Sequence, residues 1–161
     1  MLDRRTLLSH KRASKRFEAG ALTLKPLSKR KLPPPLNRLG GPKFRSTDLI
    51  ELGNDYAAVI LHKTSDEPLS RKLMGYLFVK EAKGLRALLR LDHHPSHGGL
   101  HVHVSCESLP DTLNRDVVGG KKIDVSPGLR LDAESEEDQL RFLHVFAECC
   151  GIALGPEGMF G

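Results

Sequence analysis

The sequence predicts an α+β domain, an antiparallel sheet of four to five strands with a C-terminal helix packed on one face. Three observations carry that prediction. Short apolar runs follow one another closely through the middle of the chain, one long helical pattern stands near its end, and the first 43 residues are rich in cations, proline and glycine. Closely spaced strands join most economically as an antiparallel meander, because parallel neighbours need long crossovers. A chain of 161 residues has room for roughly one such domain.

Residues 1–43 read as a basic, largely disordered arm and linker. A short helix over 4–19 would carry only Leu7, Leu8 and Phe17 as its apolar face, too little to fold alone. Residues 25–43 read as linker: Pro33, Pro34 and Pro35 favour extended backbone, and Gly40-Gly41-Pro42 interrupts regular structure. The α+β domain spans 44–161. Its strands are expected at 44–52 (weakly patterned), 56–63, 72–80, 85–92 and 100–106, with an irregular stretch at 109–122 and an edge strand limited by Pro127 at 121–130. Ser135 followed by Glu136, Glu137 and Asp138 supplies a capping hydroxyl and acids for the positive end of a helix over 135–150, and Gly151 supplies its stop. Arg141, His144 and Glu148 form that helix's narrow polar stripe, so most of its surface must be covered.

Charge and composition narrow the function classes. Residues 1–45 hold thirteen Lys and Arg against Asp3 and Glu18, a net of +11 within an overall +5, which leaves −6 for residues 46–161. A basic arm on a mildly acidic body suits a polyanion, so residues 1–45 are expected to contact nucleic acid or a ribosome. No apolar run approaches the ~20 residues of a membrane span. Arg4-Arg5 is followed by further cations where an export signal needs an apolar stretch. Cys106, Cys149 and Cys150 have neither disulfide nor zinc-finger spacing. These features predict a cytoplasmic protein without a membrane partner.

The chemistry concentrates in one stretch. Five of eight histidines, His93, His94, His97, His101 and His103, fall within eleven residues that follow Asp92. Imidazole binds metals and moves protons near neutral pH. Strand alternation sets Leu85, Ala87, Leu89 and Leu91 under the helix and Arg86, Arg90 and Asp92 on the opposite face, where His101, His103 and Ser105 join them. Same-face histidines two apart lie ~6–7 Å apart, within reach of one metal ion, zinc or manganese, with Asp92, His93 or Glu107 as a third ligand. Alternatively, His101 and His103 act without metal as base and acid on a phosphodiester, with Arg90 or Arg86 holding the developing charge. Arg86, His93 and His94 are the expected substrate-binding residues. Tyr76 reads as strand packing, and Cys106 as a small hydrophobe on the apolar side.

Arg90-Leu91-Asp92, His93-His94-Pro95 and the later His101-Val102-His103 resemble small toxin–antitoxin-associated proteins, over about residues 73–104. That resemblance implies a small sheet protein with a nuclease-like role and an antitoxin partner. His101-Val102-His103 also resembles the His-hydrophobe-His motif of relaxases and rolling-circle initiators, which implies a divalent metal, although Tyr56 and Tyr76 both precede the motif here. The same residues are similar to the histidine-triad hydrolases, with Gly99 and Ser105 flanking the pair, and, with Glu107, to the opening of the first cupin motif.

The leading expectation is a small nuclease or phosphodiesterase, with His101, His103, Asp92 and Arg90 catalytic and His101, His103 and Asp92 as metal ligands. The alternatives are a non-catalytic nucleic-acid- or ribosome-binding module whose histidines are structural, and a metal-dependent enzyme acting on a small molecule.

Overall fold

Seven consecutive side chains, Tyr56 to His62, are buried in one strand, and this fixes how the sheet must be covered. A computed structural model describes residues 4–17, 23–27, 32–34, 36–39, 42–95, 99–106, 109–113 and 131–155. Within them the elements are α1 (Arg4–Arg12), β1 (Arg16–Phe17), β2 (Lys25–Pro26), β3 (Phe44–Ser46), β4 (Ile50–Glu51), β5 (Tyr56–Lys63), β6 (Lys72–Glu81), β7 (Gly84–His94), β8 (Gly99–Cys106), β9 (Leu109–Leu113), α2 (Glu136–Cys150) and β10 (Ala153–Leu154).

The main sheet runs β2-β3-β5-β6-β7-β8-β9, with every pairing antiparallel, and β4 also pairs with β5. The fold is therefore the α+β class expected, with β5 to β9 forming the meander. The weak 44–52 pattern is realised as two short pieces, β3 and β4, along one edge of β5. Buried Thr47 lies between them. Its backbone N–H donates to the Ile60 carbonyl, and its Oγ1 accepts the Ile60 N–H at 3.1 Å. Leu109–Leu113, expected to be irregular, pairs with β8 as β9. The strand expected at 121–130 lies outside the described residues.

Helix α2 closes one face. Ser135 Oγ accepts the Asp138 N–H at 3.3 Å, and Gly151 ends the helix at φ 68°, with the Ile152 N–H returning to the Ala147 carbonyl at 2.8 Å. Phe142, Phe146, Cys149 and Cys150 are buried against Leu73, Leu77, Leu89, Leu91, Leu100 and Val102. Fully burying a side chain such as Phe146 contributes about 1.5–3 kcal/mol. No helix among the described residues is long and apolar enough to cross a membrane.

The opposite face is not the polar surface expected. Val59, Leu61, Tyr76 and Phe78 form a second buried cluster with Leu27, Leu32 and Leu36. The described parts of residues 1–43 are thus folded onto the body, where the sequence predicts a disordered arm. The reason is apolar area: β5 and β6 are hydrophobic on both sides, and the leucines between the arm's cations cover the side that α2 does not.

The first helix is tied down by one buried ammonium. Lys15 is 2% exposed, and its Nζ donates to the carbonyls of His10, Lys11 and Ala13 at the end of α1. It also lies 4.7 Å from the centre of the Tyr56 ring. Burial lowers Lys15 to about 8, so it is still charged at neutral pH. β1 continues from there into a parallel pair with β10, which holds the chain's two described ends together.

Gly75 marks a close approach of helix to sheet. A Cβ there would lie 2.5 Å from Phe146 Cδ2. Gly75→Ala is expected to destabilise the fold by about 1–3 kcal/mol through overpacking. Phe146→Leu in the same chain should recover part of that loss, a coupling that urea denaturation of the double-mutant cycle measures.

Candidate functional site

Strand β7 carries the predicted site, and an irregularity in it decides which residues belong. The β6–β7 register runs Tyr76↔Arg90 and Leu77↔Leu89, then shifts to Phe78↔Ala87 and Val79↔Arg86, leaving Leu88 as the extra residue of a bulge. One inserted residue inverts the alternation beyond it. Leu88, Leu89 and Leu91 therefore lie in the core under α2, whereas Leu85 and Ala87 pack against the second cluster.

Arg86 is the casualty of that phase change. It pairs with Val79 on the α2 side, its Nε is 2.6 Å from Glu81 Oε1, and it is close enough to His10 to help depress that imidazole. The expected grouping of Arg86 with Arg90 and Asp92 is corrected: they lie on opposite faces.

His93 is also removed from the site. It is fully buried, follows Leu89 and Leu91 on the α2 side, and its Nε2 accepts the Leu131 N–H at 3.1 Å. An accepting Nε2 places the ring proton on Nδ1. His93 is thus a structural acceptor that seats the start of the Leu131–Ser135 segment.

Arg90, Asp92 and His94 alternate onto the other face. Arg90 Nε is 2.8 Å from Asp92 Oδ1, its guanidinium lies 5.8 Å from the Tyr76 ring centre, and its Nη1 donates to Tyr76 Oη at 3.4 Å. Tyr76 in turn stacks on Phe78 at 6.0 Å. The arginine is held against an aromatic floor, which fixes the carboxylate beside it. The β7–β8 register then sets His101 opposite Asp92 and His103 opposite Arg90, with His94 opposite Gly99. The structure brings Arg90, Asp92, His101 and His103 to adjoining backbone positions, and it separates Arg86 and His93 from them. His97 and Glu107 lie outside the described residues. Among the described residues no group of three His, Cys, Asp or Glu is arranged to hold a metal ion.

Sequence reasoning missed a second buried histidine with a structural task. His62, 3% exposed, ends the α2-facing row of β5, and its Nε2 lies 3.5 Å from Glu134 Oε1, which also lies 3.5 Å from Arg71 Nε. His62 pairs with Leu73, and Leu73 pairs with His93, so two buried imidazoles flank one leucine and hold opposite ends of Leu131–Glu134. The available signal was its place in an otherwise apolar run. The thiols of α2 are packing groups: burial pushes Cys149 up to about 12 and raises Cys150 well above the ordinary thiol range.

No family model matches the chain, and neither the curated proteins nor the solved structures contain a match to it.

His10 and His62 both sit below the ordinary 6.5, in each case chiefly because burial disfavours the charged ring. Arg86 and Lys15 add to the effect at His10, where Glu81 opposes it. Arg45 and Arg71 add to it at His62, where Glu134 and Asp132 oppose it. A lowered folded pKa means that the unfolded chain binds more protons once the pH falls below about 6.5, so stability is full above that point and declines below it. Thermal midpoints should fall between neutral pH and about 5. His62→Gln should flatten part of that slope, and an unchanged slope would assign the loss elsewhere.

Proposed function

We propose that the β7–β8 face is the working site of a small nuclease or phosphodiesterase acting on nucleic acid. The observation that carries this reading is the register: Asp92 opposite His101 and Arg90 opposite His103, with the Arg90–Asp92 pair already fixed on Tyr76. In the reaction, one imidazole takes a proton from an attacking water or ribose hydroxyl as its oxygen bonds to phosphorus. The other gives a proton to the leaving oxygen as its P–O bond breaks. Arg90 stabilises the charge on the phosphoryl oxygens, and Asp92 orients His101. Were a zinc or manganese ion to take part, His101, His103 and Asp92 would hold it, and it would supply an activated water. This reading carries with it a cytoplasmic setting, nucleic acid as partner through the basic residues of the first 45, and a toxin role with an antitoxin partner.

A second reading has its own support. Arg90 is engaged with both Tyr76 and Asp92, as in a structural polar network on a binding module without chemistry. The two readings separate on one experiment, cleavage of labelled single-stranded DNA and RNA by wild type and His101→Ala, with and without chelator. The nuclease reading expects a loss of about 10²-fold or more in rate, at an unchanged thermal midpoint. Cleavage retained in His101→Ala sinks it. Binding without cleavage by the wild type favours the module, and chelator sensitivity distinguishes the metal route from acid–base chemistry.

A further inference from the structure

The cations on the main sheet's strands are matched to partners, with one exception. Lys25 faces Asp48, Arg45 donates to the Leu24 carbonyl, Lys80 meets Glu51, Arg86 meets Glu81 and Arg90 meets Asp92. Lys63 and Lys72 have neither an ion pair nor a side-chain hydrogen bond among the described residues. They are also directly opposite each other in the β5–β6 register. Cross-strand partners have Cβ atoms about 4.5–5.5 Å apart, and like charges placed so are destabilising. No carboxylate among the described residues forms an ion pair with either lysine.

Its position gives the pair a use. Lys63 follows Val59 and Leu61, and Lys72 precedes Met74 and Tyr76, so both belong to the face that carries Arg90 and Asp92. Met74 pairs with Asp92, so the lysine row is two residues, about 7 Å, from the Asp92–His101 row. Both lysines are partly exposed, and Lys43 adjoins them, its carbonyl accepting the Thr64 N–H. Two flexible ammonium groups at this spacing converge on one phosphate or on two successive ones.

The geometry points to Lys63 and Lys72 as a phosphate-binding position for a single nucleic-acid strand, leading into the Arg90–Asp92 and His101–His103 rows. This rests on the proposed function and adds to it the direction in which the strand runs across the sheet, from β5 toward β8.

The test is fluorescence anisotropy with a short labelled single strand, DNA and RNA in parallel, on wild type, K63Q/K72Q and K63R/K72R over about 50–200 mM salt. For K63Q/K72Q the expected result is binding weakened about tenfold and a salt slope reduced by about 0.7 to 1.4, about 0.7 for each of the one or two phosphates no longer neutralised. K63R/K72R should bind as wild type does. The thermal midpoint of K63Q/K72Q should stay level or rise, because an uncompensated repulsion is removed. Binding and slope equal to wild type in K63Q/K72Q would overturn the lysine position and leave the proposed function standing. A wild type that binds neither strand overturns both.

Discussion

The structure depends on β5 and β6 being apolar on both sides. A strand with one wet face alternates, and these two do not: Ala57 to Leu61, and Leu73 with Tyr76 to Val79, offer buried side chains to both faces of the sheet. Two covers are then required. Helix α2 supplies one through Phe142 and Phe146, and Leu27, Leu32 and Leu36 supply the other. With both faces of β5 and β6 occupied over most of their length, Arg90, Asp92 and His94 bring polar groups to the second face on β7, beside β8. The candidate site lies where the second hydrophobic cover gives way to the Arg90–Asp92 pair.

Histidines divide by face in the same way. His62 and His93 are on the α2 side, buried, and serve as contacts for Leu131–Glu134. His94 is on the other side, and the register brings His101 and His103 opposite Asp92 and Arg90. A cluster that is uniform in sequence thus contains residues with opposite physical demands. A buried imidazole must stay neutral and find a partner, whereas a working one needs access to a substrate. The basic residues divide similarly: Lys15 is a buried helix cap, most strand cations have partners, and the Lys63–Lys72 row has none among the described residues.

Much of this was legible in the sequence. The strand at Tyr56–Lys63 matches its apolar run residue for residue, and α2 begins and ends where Ser135 and Gly151 place it. These features are local: side-chain period, a capping hydroxyl and a glycine able to take positive φ act within a few residues. The second cover over β5 and β6 was not anticipated, because the leucines that form it are dispersed among prolines and cations, where no periodicity marks them.

By itself, then, the sequence determined the α+β class, the antiparallel order, the capped helix and the stretch in which the chemistry-bearing residues lie. Only the tertiary structure decided which of those residues share a face. The bulge at Leu88 moves Arg86 to the other side of the sheet, and no local pattern distinguishes that extra residue from regular alternation in a strand of leucines and arginines. The placement of His93 is equally non-local, since its partner at Leu131 lies 38 residues away. Alternation carries a one-residue shift through every position beyond it, and long-range contacts select among faces that the local chain leaves equivalent.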